Sequence, residues 1–332
     1  METIGIIGAG SWGTALANIL AENGHQAILW TRSKQTAEEI NTHHTNSLFL
    51  PVTTLSNNVK ATVNNIEIQS CATILITVPT QFIREVISQY DFDFSNKEVI
   101  SASKGIEKGT LLTVSGILKD IAHCNDNQIA VLSGPSHAEE CVRQVPTTVT
   151  VASNNSELAQ HVQHLFNNTY FRVYTTTDTI GAEIGGALKN VIAIAAGIVD
   201  GLAMGDNTKA ALITRGLEEI TRLGTALGAT ARTFSGLTGL GDLYVTCSSK
   251  HSRNRHVGEE IAKGKKLDTI LQEMTMIAEG VTTTESAWEL SKKHHVEMPI
   301  VEQMYLIMFQ HKDPRQAIMD LMVRAKKAET NH

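Results

Sequence analysis

An α/β domain built on a mostly parallel sheet, followed by an all-α domain, is the architecture that this sequence of 332 residues predicts. Two observations carry it. Up to about Thr177, short apolar runs alternate with helical stretches, the pattern of a sheet covered by helices on both faces. Beyond Thr177 the strand signals nearly vanish and long patterns of helical period take over. No internal repeat, low-complexity segment or long linker intervenes, so residues 1–177 and 178–332 read as two adjoining domains.

In chain order the expected strands are 4–7, 27–31, 61–63, 73–78, 98–101, 129–132, 147–152 and 171–174. Helical segments lie between most of them, among them 14–21, 81–89 and 157–166. Pro79, Pro135 and Pro146 stand at strand ends or in loops, where a missing N–H does no harm. In the second half the expected helices are 182–199, 208–227, 257–262, 282–293, 300–309 and 313–327. Ala211, Leu212, Leu217, Ile220, Leu223 and Leu227 lie near helical spacing in the second of these.

The totals exclude several classes. With 28 Lys+Arg against 34 Asp+Glu the net charge is −6, and no basic block is present, which argues against phosphate-driven nucleic-acid binding. The longest apolar run, 191–199, falls short of the roughly 18–20 residues of a membrane span, so no membrane insertion is expected. Met1-Glu2-Thr3 lacks the positive start of a secretory signal and leads straight into a strand, which points to the cytoplasm. Cys71, Cys124, Cys141 and Cys247 form no C-x-x-C pair and read as reduced thiols. The pairs His43-His44 and His294-His295 point their rings different ways and make poor chelators, so no metal site is expected.

The first motif with chemistry is Gly8-Ala9-Gly10-Ser11-Trp12-Gly13, set between a predicted strand and a predicted helix. That order places backbone N–H groups and a helix N-terminus against a pyrophosphate, the arrangement of a Rossmann-like dinucleotide site. Gly8 serves the turn, Gly10 lets the phosphates approach, and Gly13 lets the helix pack on the sheet. The second motif is the helix 185–197, apolar or small on almost every side yet carrying Lys189 and Asn190. A lysine so surrounded is costly to desolvate unless something anionic meets it. The alternative, that Lys189 snorkels to solvent from the helix start, weakens beside a dinucleotide fingerprint.

Four further segments hold polar residues in settings costly for folding alone. Ser103-Lys104-Gly105 follows a strand end, so Lys104 should point into the crevice at the carboxyl edge of the sheet. Ser133-Gly134-Pro135-Ser136-His137-Ala138 is another strand-end loop, with a plain turn as the equal alternative. Gly236–Asp242 reads as a tight glycine-rich loop, and Asp242 suits the support of a lysine. It runs on to Thr246 and then to Ser252-Arg253-Asn254, where Arg253 offers a planar charged fork for a phosphate. The fourth is Ile277-Ala278-Glu279-Gly280, a carboxylate among small and apolar residues.

On these stretches the chain resembles the bacterial type of NAD(P)-dependent glycerol-3-phosphate dehydrogenase. The block 186–207 is the specific part, and the matching segments span almost the whole length. The resemblance implies that Ser11, Trp12, Arg32, Lys104, Ala138, Arg253, Ile277 and Glu279 contact NADP(H) or NAD(H), with Gly8, Gly10 and Gly13 shaping the turn. It also implies that Lys104, Gly134, Ser136, Lys189, Asp242, Ser252, Arg253 and Asn254 surround dihydroxyacetone phosphate or sn-glycerol 3-phosphate. Lys189 becomes the proton donor and acceptor, and the product is expected to supply phospholipid synthesis. The segment 296–300 is familiar from the same family and is given a packing role. Ser33 stands where some relatives carry a second basic residue. A homodimer is expected by fold-level analogy.

Rival readings are a β-hydroxyacid or ketopantoate-type dehydrogenase and a catalytically inactive nucleotide-sensing protein. Arg253-Asn254 argue against the first, and the joint presence of Lys104, Lys189 and Asp242 against the second. Burial lowers the pKa of Lys189 and a nearby Asp242 raises it; sequence leaves open which prevails. The second strand ends Trp30-Thr31-Arg32-Ser33 without a carboxylate and Arg32 offers a positive partner for a 2′-phosphate, so NADPH is expected to serve better than NADH, with NADH still accepted.

Overall fold

Among the described residues eight strands precede Thr177: β1 (Thr3–Ile7), β2 (Gln26–Trp30), β3 (Val59–Thr62), β4 (Thr73–Ile76), β5 (Glu98–Ser101), β6 (Ile129–Ser133), β7 (Thr147–Ala152) and β8 (Phe171–Thr176). The structure is a computed structural model and describes residues 1–51, 53–326 and 328–329. The strands form one sheet in the order β3-β2-β1-β4-β5-β6-β7-β8. Every neighbouring pair is parallel except β6 and β7.

Among the described residues seven α-helices accompany these strands: α1 (Ser11–Glu22), α2 (Lys34–His43), α3 (Asn65–Gln69), α4 (Thr80–Gln89), α5 (Val114–Ala122), α6 (Ala138–Cys141) and α7 (Ser156–Phe166). Alternation along each strand divides the core between the two faces. Ile6, Leu29, Leu75 and Ile100 pack with Leu16 of α1 and Val162 of α7. Ile7, Ile74, Ile76 and Val99 pack on the other side with Ile83 of α4 and Ile117 of α5. The chain crosses from the β2 side to the β4 side of β1, so a crevice opens at the carboxyl ends of β1 and β4.

Among the described residues nine helices follow: α8 (Thr179–Gly201), α9 (Asp206–Ala226), α10 (Ala231–Phe234), α11 (Asp242–Ser248), α12 (Arg253–Ala262), α13 (Leu267–Glu273), α14 (Glu279–Lys293), α15 (Pro299–Gln310) and α16 (Pro314–Met322). Asp178 starts α8 by accepting a hydrogen bond from the Gly181 N–H at 2.8 Å. Helices α9, α11, α12, α14 and α15 pack around α8, and every residue from Gly181 to Val199 is buried. Glu219 of α9 accepts from the N–H groups of Ile300 and Val301, at 2.7 and 3.2 Å, and so holds the first turn of α15. That gives the 296–300 segment its packing role.

Several expectations change. An 18-residue stretch of α8, with a mean hydropathy of 1.5, does have the length and composition to cross a membrane, because glycine and alanine extend the apolar run on its N-terminal side. That stretch is wholly buried inside the protein instead. The glycine-rich stretch before Asp242 is helical: Leu237–Gly241 forms a π-helical turn that runs directly into α11. Helices α2, α3, α5 and α6 give bounds to helical segments expected between the strands, while α10, α11 and α13 add helices beyond those expected. The last helix ends at Met322 rather than 327, and Lys327 lies outside the described residues, as do residues 330–332 of the second domain. All four cysteines are buried and unpaired.

Candidate active site

The loop after β1 has the geometry its three glycines require. Gly8 takes φ +117°, a conformation closed to other residues at low cost. A Cβ on Gly13 would overlap the Gly8 carbonyl oxygen, so only glycine lets α1 begin this close to the strand. A Cβ on Gly10 would meet nothing within 4 Å, which leaves open space above the loop. No side chain caps α1 at Gly10, and its first N–H groups and positive dipole end face that space. An anionic dinucleotide fits these features.

Around this loop stand the other expected cofactor contacts. The Ser11 hydroxyl donates to the Phe49 carbonyl at 2.5 Å and lies 3.2 Å from the Met276 sulfur, which ties the segment before α14 to the α1 N-terminus. Ile277 is exposed beside it, and the buried Trp12 indole N–H has no partner among the described residues. Ala138 is buried at the start of α6. Arg32 lies just past β2, exposed, 4.0 Å from Glu85 of α4; an ion pair this open to solvent contributes little. Arg32 can therefore leave Glu85 for a better anion.

The second group of side chains meets where the carboxyl edge of the sheet faces α8 and α11. Lys104, from the loop after β5, donates to the Gly134 carbonyl at 3.0 Å and to Asp242 Oδ2 at 2.7 Å. Lys189, midway along α8, donates to Asp242 Oδ1 and to the Thr246 hydroxyl, the latter at 2.9 Å. One buried carboxylate thus joins two ammonium groups from different halves of the chain. Burial pushes the Asp242 carboxyl up, but Lys104 and Lys189 together outweigh it and hold it below its ordinary value. For Lys189 burial prevails: it is lowered to about 8, with Asp242 opposing the shift and Lys104 reinforcing it. The question that sequence left open is settled in favour of burial.

At one side of this cluster lies the N-terminus of α12. Ser252 caps it by accepting from the Arg255 N–H at 3.2 Å. Arg253 is exposed in the first turn. Asn254 is buried; it donates to Asn190 Oδ1 and accepts from the Gly280 N–H, both at 2.9 Å. Gly134 and Ser136 lie in the loop after β6, where the Ser136 hydroxyl donates back to the Gly134 carbonyl at 2.9 Å. Glu279 opens α14 and accepts from the Thr80 N–H at 2.7 Å, crossing between the two halves. Burial raises its carboxyl to about 7, although the Thr80 N–H and the Arg253 charge oppose the rise.

The residues expected from sequence therefore converge as two adjoining groups, one at the β1–α1 loop and one around Asp242. Sequence reasoning gave Thr246 and Asn190 no role, yet Thr246 receives the Lys189 proton donor and Asn190 anchors Asn254. The signal for Thr246 was its spacing of four residues from Asp242, legible only once 242–248 is known to be a helix. His137 was also passed over. Burial first, then the Lys189 charge, keep its imidazole below the ordinary histidine value, and its Nε2 has no partner among the described residues.

Comparison with known proteins bears on the chemistry. Residues 3–159 match the family model described as the NAD-dependent glycerol-3-phosphate dehydrogenase N-terminus, and residues 178–319 match the corresponding C-terminus. The chain is 51% identical over 332 residues to glycerol-3-phosphate dehydrogenase [NAD(P)+] of Lysinibacillus sphaericus (99% of this chain, 98% of that one). It is likewise 51% identical over 332 residues to the same-named protein of Citrifermentans bemidjiense, covering 99% of each. The crystal structure of glycerol-3-phosphate dehydrogenase from Coxiella burnetii superimposes with a TM-score of 0.92 at 37% identity, over 97% of this chain and 99% of that one.

Proposed function

The chain belongs to the NAD-dependent glycerol-3-phosphate dehydrogenase family, and from that premise we propose how its residues divide the work. It is an oxidoreductase that uses NAD(P)(H) to interconvert sn-glycerol 3-phosphate and the C2 ketone, dihydroxyacetone phosphate. When bound, the reduced nicotinamide supplies a hydride. Residues 1–177 hold most of the cofactor, and the second domain, 178–332, supplies the proton donor and most of the substrate contacts. Lys189 aims its ammonium at the C2 oxygen, stabilises the developing alkoxide and transfers a proton to it. In the reverse direction the neutral amine takes that proton back. Lys104 is a second cationic contact, while Gly134 and Ser136 line the substrate. The observation that carries this reading is the buried Lys189–Asp242–Lys104 cluster. Following NADPH absorbance with dihydroxyacetone phosphate, and with carboxylate-bearing ketones as controls, tests it. Preferential turnover of a carboxylate ketone would defeat it.

Ser252, Arg253 and Asn254 grip the substrate phosphate at the α12 N-terminus, where the helix dipole and a guanidinium with no ion-pair partner among the described residues favour an anion. For Arg253→Ala the expected result is a rise in KM for dihydroxyacetone phosphate of about 10–100-fold, the scale of hydrogen bonds to a charged group. A smaller fall in kcat should accompany it, because phosphate binding orients the carbonyl. A variant that still discriminated against unphosphorylated dihydroxyacetone as strongly as the parent would remove the phosphate grip.

Gly8, Gly10 and Gly13, with the main chain of Ser11 and Trp12, cradle the pyrophosphate; Ala138, Ile277 and Glu279 lie toward the nicotinamide end. Arg32 pairs with the 2′-phosphate of NADPH, and no carboxylate at the end of β2 repels it. Arg32→Ala is expected to weaken NADPH by about tenfold or more and NADH far less. Titrating both cofactors checks this; an equal loss for the two would refute the assignment. The same reading makes the protein a cytoplasmic homodimer that supplies glycerol 3-phosphate to phospholipid synthesis. That part rests on family resemblance, and light scattering tests the dimer.

A further inference from the structure

The last turn of α8 carries a partly buried ion cluster that the chemistry above does not use. Asp200 Oδ2 accepts from Arg255 Nε at 2.7 Å and lies 2.7 Å from a terminal nitrogen of the same guanidinium. Lys209 of α9 donates to both Asp200 oxygens, at 3.1 and 2.8 Å, and Glu259 closes the group 2.9 Å from Arg255. The backbones beneath are in direct contact. A Cβ on Gly197 would overlap the Arg255 carbonyl oxygen, and one on Gly258 would overlap the Ile194 carbonyl oxygen. Arg255 is thus clamped to α8 through both its side chain and its main chain.

This clamp has a position that matters. Asp200 lies about three turns, or roughly 16 Å, along α8 from Lys189. Arg255 lies in the first turn of α12 with Arg253 and Asn254, and its N–H is the one that Ser252 caps. The first turn of α12 is therefore pinned to α8 twice, by Asn254 on Asn190 and by Arg255 on Asp200. One rigid helix carries the proton donor and both anchors.

We propose that Asp200 is a positioning residue for the phosphate grip: acting through Arg255, it sets where Arg253 and the α12 N-terminus stand relative to Lys189. The proposal rests on the reading that Arg253 holds the substrate phosphate. A carboxylate suits this role because its charge faces the guanidinium through Oδ2 while both of its oxygens accept from Lys209.

The test compares the parent with Asp200→Asn, Arg255→Lys, Lys209→Met and Arg253→Ala, all folded and measured with NADPH well below the unfolding temperature. The readouts are KM and kcat for dihydroxyacetone phosphate, and the ratio of its kcat/KM to that of dihydroxyacetone. Asp200→Asn is expected to raise KM by about tenfold, with a smaller change in kcat, because a small misplacement of a distant grip costs this much or more. The ratio should fall by a similar factor while NADPH affinity holds. Arg255→Lys keeps the charge but loses the fork, so it should repeat the effect and stands in if Asp200→Asn does not fold. Lys209→Met leaves the Asp200–Arg255 contact and should lower thermal stability alone. If Asp200→Asn and Arg255→Lys lost only stability and kept the parental KM and ratio, or if Lys209→Met moved KM as far as they did, the positioning role would be overturned. An unchanged ratio in Arg253→Ala removes the phosphate reading itself and the proposal with it. A ratio lost in Arg253→Ala but kept in the other variants overturns the proposal alone.

Discussion

Lys189→Ala is expected to lower kcat by roughly 10²-fold or more while leaving NADPH affinity nearly intact, the usual effect of removing a positioned acid–base group. The side chain donates to Asp242 and Thr246 and makes no contact with the β1–α1 loop, so the loss belongs to the ketone oxygen. The parent enzyme should show the matching pH dependence. Reduction needs the ammonium, so its rate should fall as pH rises through about 8; oxidation needs the free amine and should rise over the same range. In Lys189→Ala that limb should vanish from both profiles. Parental turnover, or a limb that persists in the variant, would take Lys189 out of the mechanism.

The second large effect is expected from Asp242→Asn. The carboxylate is 1% exposed and is the anion between Lys104 and Lys189. Removing one partner of a buried ion pair typically costs about 3–5 kcal/mol, and here two cations lose it at once. The protein can escape part of that cost by releasing a proton. Lys189, already held low by burial, loses the group that raises it and keeps the repulsion of Lys104, so its pKa falls further. Two measurements follow. The fall of the reduction rate should begin at lower pH than in the parent, with kcat at neutral pH reduced along with it. A lysine whose folded pKa is depressed opposes folding while the unfolded chain stays protonated, so that stability is regained as pH rises toward the free value of about 10.4. The Tm deficit of the variant should therefore be larger at pH 6 than at pH 9. An unmoved kinetic limb together with a pH-independent deficit would show that Asp242 does not govern the Lys189 proton.

Much of this arrangement was legible in the sequence because its signals are local. All eight strands announced themselves as apolar runs between turn residues. Lys189 stood out because a lysine in an apolar helix conflicts with its surroundings. Helices α2 and α13 have no legible bounds in the sequence because they bury so little: Thr36, Ala37 and Ile40 in one, Ile270 alone in the other. Their apolar period is too thin to detect. The turn before α11 misled for a different reason. Glycines 236, 239 and 241 have the composition of a loop, but the lack of a side chain at Gly239 lets the turn press against the Phe234 backbone. With that helix unread, Asp242 and Thr246 could not be placed on one face. The bridge from Lys104 to Asp242 spans 138 residues of sequence, and no local pattern encodes it.

Helix α8 is delivered by the ribosome before the helices that cover it. Residues 179–201 leave the exit tunnel well ahead of α14, which ends at Lys293. At about 5–20 residues per second the interval is roughly 5–20 s. For that time an apolar helix, with its lysine not yet met by Asp242, has only the side that faces the sheet domain to cover it. The residues that make the finished site dry and rigid thus make the growing chain adhesive, and chaperone capture rather than spontaneous docking is the safer course for it until α9, α11, α12 and α14 arrive.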